Sequence, residues 1–223
     1  MQSPQECKMP EIKIDYKAIS RYWGTRIVGA DIRYPSEMYR AVFIRLTDKA
    51  LYEYIMARNA VMAQIERKDI SHPLTTFIAG TPFYHVVIGN HLETCINATK
   101  RALDILNKMK HDRRVPFFID RTFRRMVERF FKEIKNFRNV LEHIDNEISK
   151  GIIKKGQTYL PAINEDASEV EIGSQKLNLI SLAKVIFKLH QFALELAAYN
   201  APGAEKWLFP KFIHPKEKDE TQK

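Results

Sequence analysis

From Phe123 to Ile148 an apolar side chain returns every three or four positions, as Phe123, Val127, Phe130, Phe131, Ile134, Phe137, Leu141, Ile144 and Ile148. Only a helix, turning about 100° per residue, gathers that series onto one side. Asp120 is suited to cap its start and Gly151 to end it. The opposite side carries Arg121, Arg125, Arg129 and Lys132, with Asn139 and His143 further along the same side. A helix divided in this way must lay its apolar half on other elements, so the chain has to supply partners for it.

Those partners are legible as further helices. After Pro35, Ser36 is a good cap, and Tyr39, Val42, Phe43, Leu46, Ala50, Tyr54, Ala57, Val61 and Ile65 keep helical spacing to about Lys68. One long helix is the preferred reading, and a break at Thr47-Asp48 is the alternative, because MYRAVFIRL also has strand character. The stretch SHPLTTFIAGTP, with Pro73, Gly80 and Pro82, reads as turns. A second helix runs from about Pro82 or Phe83 to Lys110, with Val86, Val87, Asn90, Leu92, Ile96, Leu103, Leu106 and Met109 inward. Past the third helix the period changes to two in TYLPAI and EVEIGSQKLNL, with Gly173-Ser174 where a hairpin turn belongs. Helical spacing resumes at Leu179, Leu182, Ile186, Leu189, Phe192, Ala193 and Leu196, and stops before Asn200-Ala201-Pro202-Gly203.

The expected fold class is therefore all-α in the main: a four-to-five-helix bundle with a small β-hairpin inserted between the third and fourth long helices. Residues 36–200 form the bundle, with the hairpin at about 156–178. Residues 1–35, with Pro4, Pro10, Gly24, Gly29 and Pro35, read as an irregular segment in which Arg26-Ile27-Val28 is at most an edge strand. Residues 201–223 read as a polar tail. With 45% apolar residues the chain can bury a continuous core. The fourth long helix is the most apolar stretch, yet Lys184, Lys188, His190 and Glu195 exclude it as a membrane span. Two cysteines, Cys7 in a loose N-terminal segment and Cys95, and no signal-like leader point to the cytoplasm.

Net charge is +9, which favours polyanionic partners such as nucleic acid or acidic lipid headgroups. The cationic side of the third helix would suit a phosphate backbone, and Arg113 and Arg114 add charge near its start. A solvated helix face is the competing explanation, although such a face usually alternates signs, and here Glu128 is almost the sole acid. Arg138 and Glu142 lie at the flank in the i, i+4 relation, arginine first, the less favourable order. That pairing alone would leave Arg138 loosely held.

The run Arg138-Asn139-Val140-Leu141-Glu142-His143, on a helix of a small bundle, resembles the HEPN superfamily of ribonucleases and RNA-binding proteins, in which an arginine, a polar residue and a following histidine form the motif. The resemblance covers the motif and the helical layout, within about 36–200. It implies an RNA-binding protein or metal-independent endoribonuclease of toxin or defence type, with no cofactor. It also implies a homodimer whose two motifs face one another, with a cognate antitoxin or regulatory protein as a further partner. Arg138, Asn139 and His143 would be the catalytic residues and Glu142 a positioning residue. Histidine as a residue type, titrating near ~6.5, can take the proton of a 2′-hydroxyl or deliver one to the leaving oxygen. An arginine can stabilise charge growing on phosphate oxygens.

Arg67 and His72 repeat the spacing but run off a helix end towards Pro73, so they lack the context. His91 and Cys95, four apart on the second helix, could touch one metal, but two ligands are not a site, and His85 lies well round the helix from them. A structural histidine and a buried free cysteine are the expectation there, and His190 is expected to pack in the core. The other class of function open to the chain is a non-catalytic interaction protein whose basic face binds nucleic acid or an acidic partner.

Overall fold

The computed structural model describes residues 7–13, 35–68, 81–111, 121–151, 160–164 and 166–198. The order of elements is α1 (Pro35–Lys68), α2 (Thr81–His111), α3 (Arg121–Glu142), α4 (Ile144–Ser149), β1 (Ala162–Ile163), β2 (Glu169–Ile172), β3 (Gln175–Asn178) and α5 (Leu179–Ala198). The fold is thus mainly helical with a small antiparallel sheet between the last two helices. The expected turns after Ser71, the cap Asp120, Arg113, Arg114, His72, the edge strand at 26–28 and the tail beyond 201 lie outside the described residues.

α1 is a single helix through Thr47 and Asp48, because Phe43, Ile44, Leu46, Ala50, Leu51 and Tyr54 keep one side buried across the alternative break point. It begins at Pro35, a residue whose fixed φ and missing N–H suit a first helical position, so Ser36 falls inside the first turn. α2 lies along α1 and contributes Ile88, Leu92, Cys95, Ile96, Leu103, Leu106 and Met109 to the core. The inward face expected at its start is corrected: Val86, Val87 and Asn90 are exposed, and Ile88 and Gly89 take the inner side. Gly89 is there because α2 meets the chain just before β1. A Cβ at that position would stand 2.9 Å from the Pro161 carbonyl oxygen.

α3 packs Val127, Phe130, Ile134, Phe137 and Val140 inward. Helix geometry fails at His143, whose φ of −122° and ψ of 20° leave the helical region. Its N–H is shared between the carbonyls of Asn139 (3.1 Å) and Val140 (3.2 Å), the bifurcated bonding common at helix ends. The continuous helix expected to Gly151 is therefore two helices. Beyond the break Ile144 still packs against the core, but Ile148 is 55% exposed.

The sheet has order β1-β2-β3, all antiparallel, with Val170 opposite Leu177 and Ile172 opposite Gln175. The expected hairpin is present as β2 and β3. A third strand, β1, extends it by pairing through Ala162–Glu171 and Ile163–Val170, and Val170, Ile172 and Leu177 are buried in the common core. Gly173, at φ +55°, opens the two-residue turn, as primed hairpin turns require. The Asn164 side chain organises the β1–β2 loop, accepting from the Ser168 and Glu169 N–H groups at 2.9 and 3.0 Å. α5 buries Leu179, Leu182, Ile186, Leu189 and Phe192 between α1, α3 and the sheet, and Phe43 meets Phe192 edge to face.

Residues 7–13 run as a strap without regular structure. Met9 and Ile12 are buried, the Tyr54 hydroxyl donates to the Pro10 carbonyl at 2.9 Å, and Arg58 Nε donates to the Met9 carbonyl at 3.1 Å. At its near end the Lys8 N–H and ammonium bond Asp166 in the β1–β2 loop, at 2.9 and 2.8 Å. Cys7 is partly buried against the core, so the loose setting expected for it is corrected. The expectation failed because the segment's burial rests on only two apolar side chains, and its remaining anchors are main-chain hydrogen bonds and the Lys8–Asp166 pair, which sequence patterning does not reveal.

Candidate nucleic-acid interface

The spacing that turns phenylalanines inward on α3 turns its cations outward. Arg121, Arg125, Arg129 and Lys132 are all exposed, and none of them forms an ion pair among the described residues. Lys135 is a further cation exposed on the same side. Glu128 is engaged by Arg124 at 3.8 Å. An unneutralised row of this kind spans about 21 Å of helix from Arg121 to Lys135 at ~1.5 Å per residue.

Arg138 is placed differently. Its side chain is 26% exposed and turned to the flank facing α2. There Nε donates to Asn97 Oδ1 at 3.1 Å, and Nη2 bonds Glu142 Oε1. Beyond the pairing with Glu142, Asn97 supplies a second anchor from a neighbouring helix. Two bonds fix the plane of the guanidinium, and its remaining N–H groups keep their donor capacity. Nothing in the sequence signals Asn97, because only the antiparallel register of α2 against α3 sets it opposite Arg138.

Asn139 and His143 are exposed. Among the described residues no hydrogen bond joins the side chains of Arg138, Asn139 and His143. The angular relation explains this. Since His143 still bonds Asn139 as a helical residue would, five positions place it about 140° around the axis from Arg138 and ~7.5 Å along it. Asn139 and His143 lie near one line of the helix, and Arg138 looks away from both. One chain therefore does not aim the arginine and the histidine at a single phosphate.

The rival pair on α2 is spoken for. His91 Nδ1 pairs with Glu53 Oε2 of α1 at 2.6 Å, a half-buried bond between helices, and His85 Nε2 meets Gln64 Nε2 at 3.1 Å. Cys95 is fully buried, and burial first, with the Glu53 charge adding to it, pushes its thiol up to about 12, against a lowering hydrogen bond from Thr99. A thiol held protonated is neither a good ligand nor a nucleophile, and the packing role expected of Cys95 is met. His190 is likewise buried, 2% exposed. The described residues contain no group of three metal-ligating side chains, and no described helix is long and apolar enough to cross a membrane.

No protein-family model, curated protein or solved structure matches the chain.

Proposed function

We propose that the protein binds RNA through the cationic face of α3 and, as a homodimer, cuts it without a metal at a composite site made of Arg138 and His143. The observation that carries the binding part is the row from Arg121 to Lys135, exposed and without acidic partners, which is what a phosphate backbone requires. The dimer is needed for the cutting part. Since Arg138 and His143 diverge within one chain, only the histidine of a second copy could meet a phosphate already held by Arg138. In such a site the imidazole moves the proton of the 2′-hydroxyl or of the leaving oxygen, Arg138 stabilises the phosphate charge, Asn139 orients the imidazole or the phosphate, and Glu142 with Asn97 holds the arginine. A nuclease of this kind belongs in the cytoplasm with its substrate. It calls for a cognate antitoxin or regulator to keep it silent. Cys7 and Cys95, both free thiols, suit that compartment.

A second reading, a binding protein that does not cut, is favoured by the bonds Arg138 already makes to Glu142 and Asn97. Incubating the purified protein with total RNA in EDTA decides between them. Shortened RNA supports the nuclease, retarded but intact RNA supports the binder, and RNA that neither shifts nor shortens removes both.

A further inference from the structure

Beside the cationic row, between α2 and α3, lies a cleft of about 160 Å³, open to solvent on one side. Leu103, Leu106 and Val127 make its floor, and Phe131 its aromatic wall. The Lys100 ammonium sits 4.6 Å from the Phe131 ring centre and is held there by both Asp104 oxygens at 2.7 Å. The rim is polar: Asn107 from α2, and Arg124 and Glu128 from α3.

Size and lining together limit the occupant. A cavity of about 150 Å³ lined by leucine and phenylalanine takes a single aromatic ring, whereas drug-sized molecules and cofactors need at least ~300 Å³. A flat ring with hydrogen-bonding edges matches an apolar floor under an amide, a guanidinium and a carboxylate, which between them donate and accept. The cleft is also on the line of the arginine. Phe131 and Arg138 are seven residues apart, so they face the same flank about 10.5 Å from one another along the axis, a gap that a short stretch of unstacked strand can bridge.

We infer that this cleft receives one unstacked base of single-stranded RNA, in register with a phosphate at Arg138, so that the protein selects unpaired over paired RNA. The inference rests on the reading of the α3 face as an RNA-binding surface and adds to it the class of RNA. Duplex RNA offers the same phosphates but no free base, and an abasic strand offers the flexible backbone without the ring.

The test is fluorescence anisotropy at one fixed salt concentration with three probes: a short single-stranded RNA, the same RNA annealed to its complement, and the same strand with its bases removed over the central positions. The intact single strand should bind about tenfold tighter than either of the others, the scale of one stacked base. Asn107→Trp, at an exposed position on the rim, should fill the cleft and erase that preference while leaving affinity for the duplex unchanged. Equal binding of the three probes by the wild-type protein overturns the base cleft and leaves the cationic face standing. Binding of none of them overturns both. A tenfold preference that survives in a folded Asn107→Trp protein places the base elsewhere and overturns the assignment to this cleft.

Discussion

Replacing Arg125 and Arg129 by glutamine removes two positive charges from the middle of the α3 face without touching its apolar half. Both side chains are exposed and unpaired among the described residues, and the buried partners on the other side are Val127, Phe130 and Ile134. Glutamine keeps the helix propensity of the site and the first two methylenes of the side chain, so stability should change by less than ~0.5 kcal/mol. If Arg121, Arg125, Arg129, Lys132 and Lys135 each displace one counterion from a single strand, log K falls against log salt with a slope of about −3.5, from ~0.7 per phosphate. The double variant should give about −2.1. Raising salt from 50 to 200 mM would then weaken wild-type binding roughly 130-fold and variant binding only roughly 18-fold. Anisotropy titrations of a labelled RNA across that range measure both numbers. A variant whose affinity and slope match the wild type would show that the row is a solvated face and that any RNA is held elsewhere.

Under the nuclease reading, His143→Ala and Arg138→Ala should each abolish cleavage, the first with RNA affinity within a few fold and the second with weaker binding, as gel assays of cutting and binding would show. Mixing the two inactive proteins should restore part of the cleavage, because a mixed dimer carries one intact composite site, and no recovery would speak against a shared site. Gly89→Ala should cost about 1–3 kcal/mol in urea unfolding, since the new Cβ meets the Pro161 carbonyl at 2.9 Å and backbone must move. Asp166, held well below the usual carboxylate range first by the Lys8 ammonium and then by Ser168, adds stability that is fully present above ~3.9, the ordinary Asp value, and is lost as pH falls through its lower folded value. The stability difference between wild type and Asp166→Asn should accordingly be constant from pH 7 to 5 and shrink below pH 4 in acid titrations of unfolding. A thiol reagent at neutral pH should label Cys7 in the folded protein and Cys95 only on unfolding, because Cys95 is buried and its thiol pushed up to about 12; prompt labelling of both would contradict the core packing.

Long periodic segments were the readable part of the fold. On α5 all seven apolar positions expected to face inward are buried, because a helix packed on several sides leaves no doubt about its inner face. At the start of α2, by contrast, Val86 and Val87 are apolar yet exposed. There the decisive contact is a close approach of backbone at Gly89, which hydrophobicity does not encode. The sheet shows in the alternation of TYLPAI and EVEIGSQKLNL, but the pairing of β1 with β2 does not, since two residues carry no information about their partner strand. Residues 7–13 were missed for a related reason: what holds them is Tyr54, Arg58 and Asp166 bonding to main chain and to Lys8.

For the site, residue spacing located the two faces of α3 and the Arg138–Glu142 pair, both local relations within one helix. It could not deliver Asn97, which depends on the register between two helices, nor the break at His143, where no proline or glycine marks the change. The break bears on assembly. The apolarity of α5 is consumed inside the chain, where Phe187, at 38%, is its exposed large apolar side chain. Any dimer must therefore use another surface, and the exposed end of α3 with α4 is where Asn139, His143 and Ile148 stand together outside the core. A partner copy placed there would cover Ile148, and it would leave the row from Arg121 to Lys132, at the other end of the same helix, open to the strand.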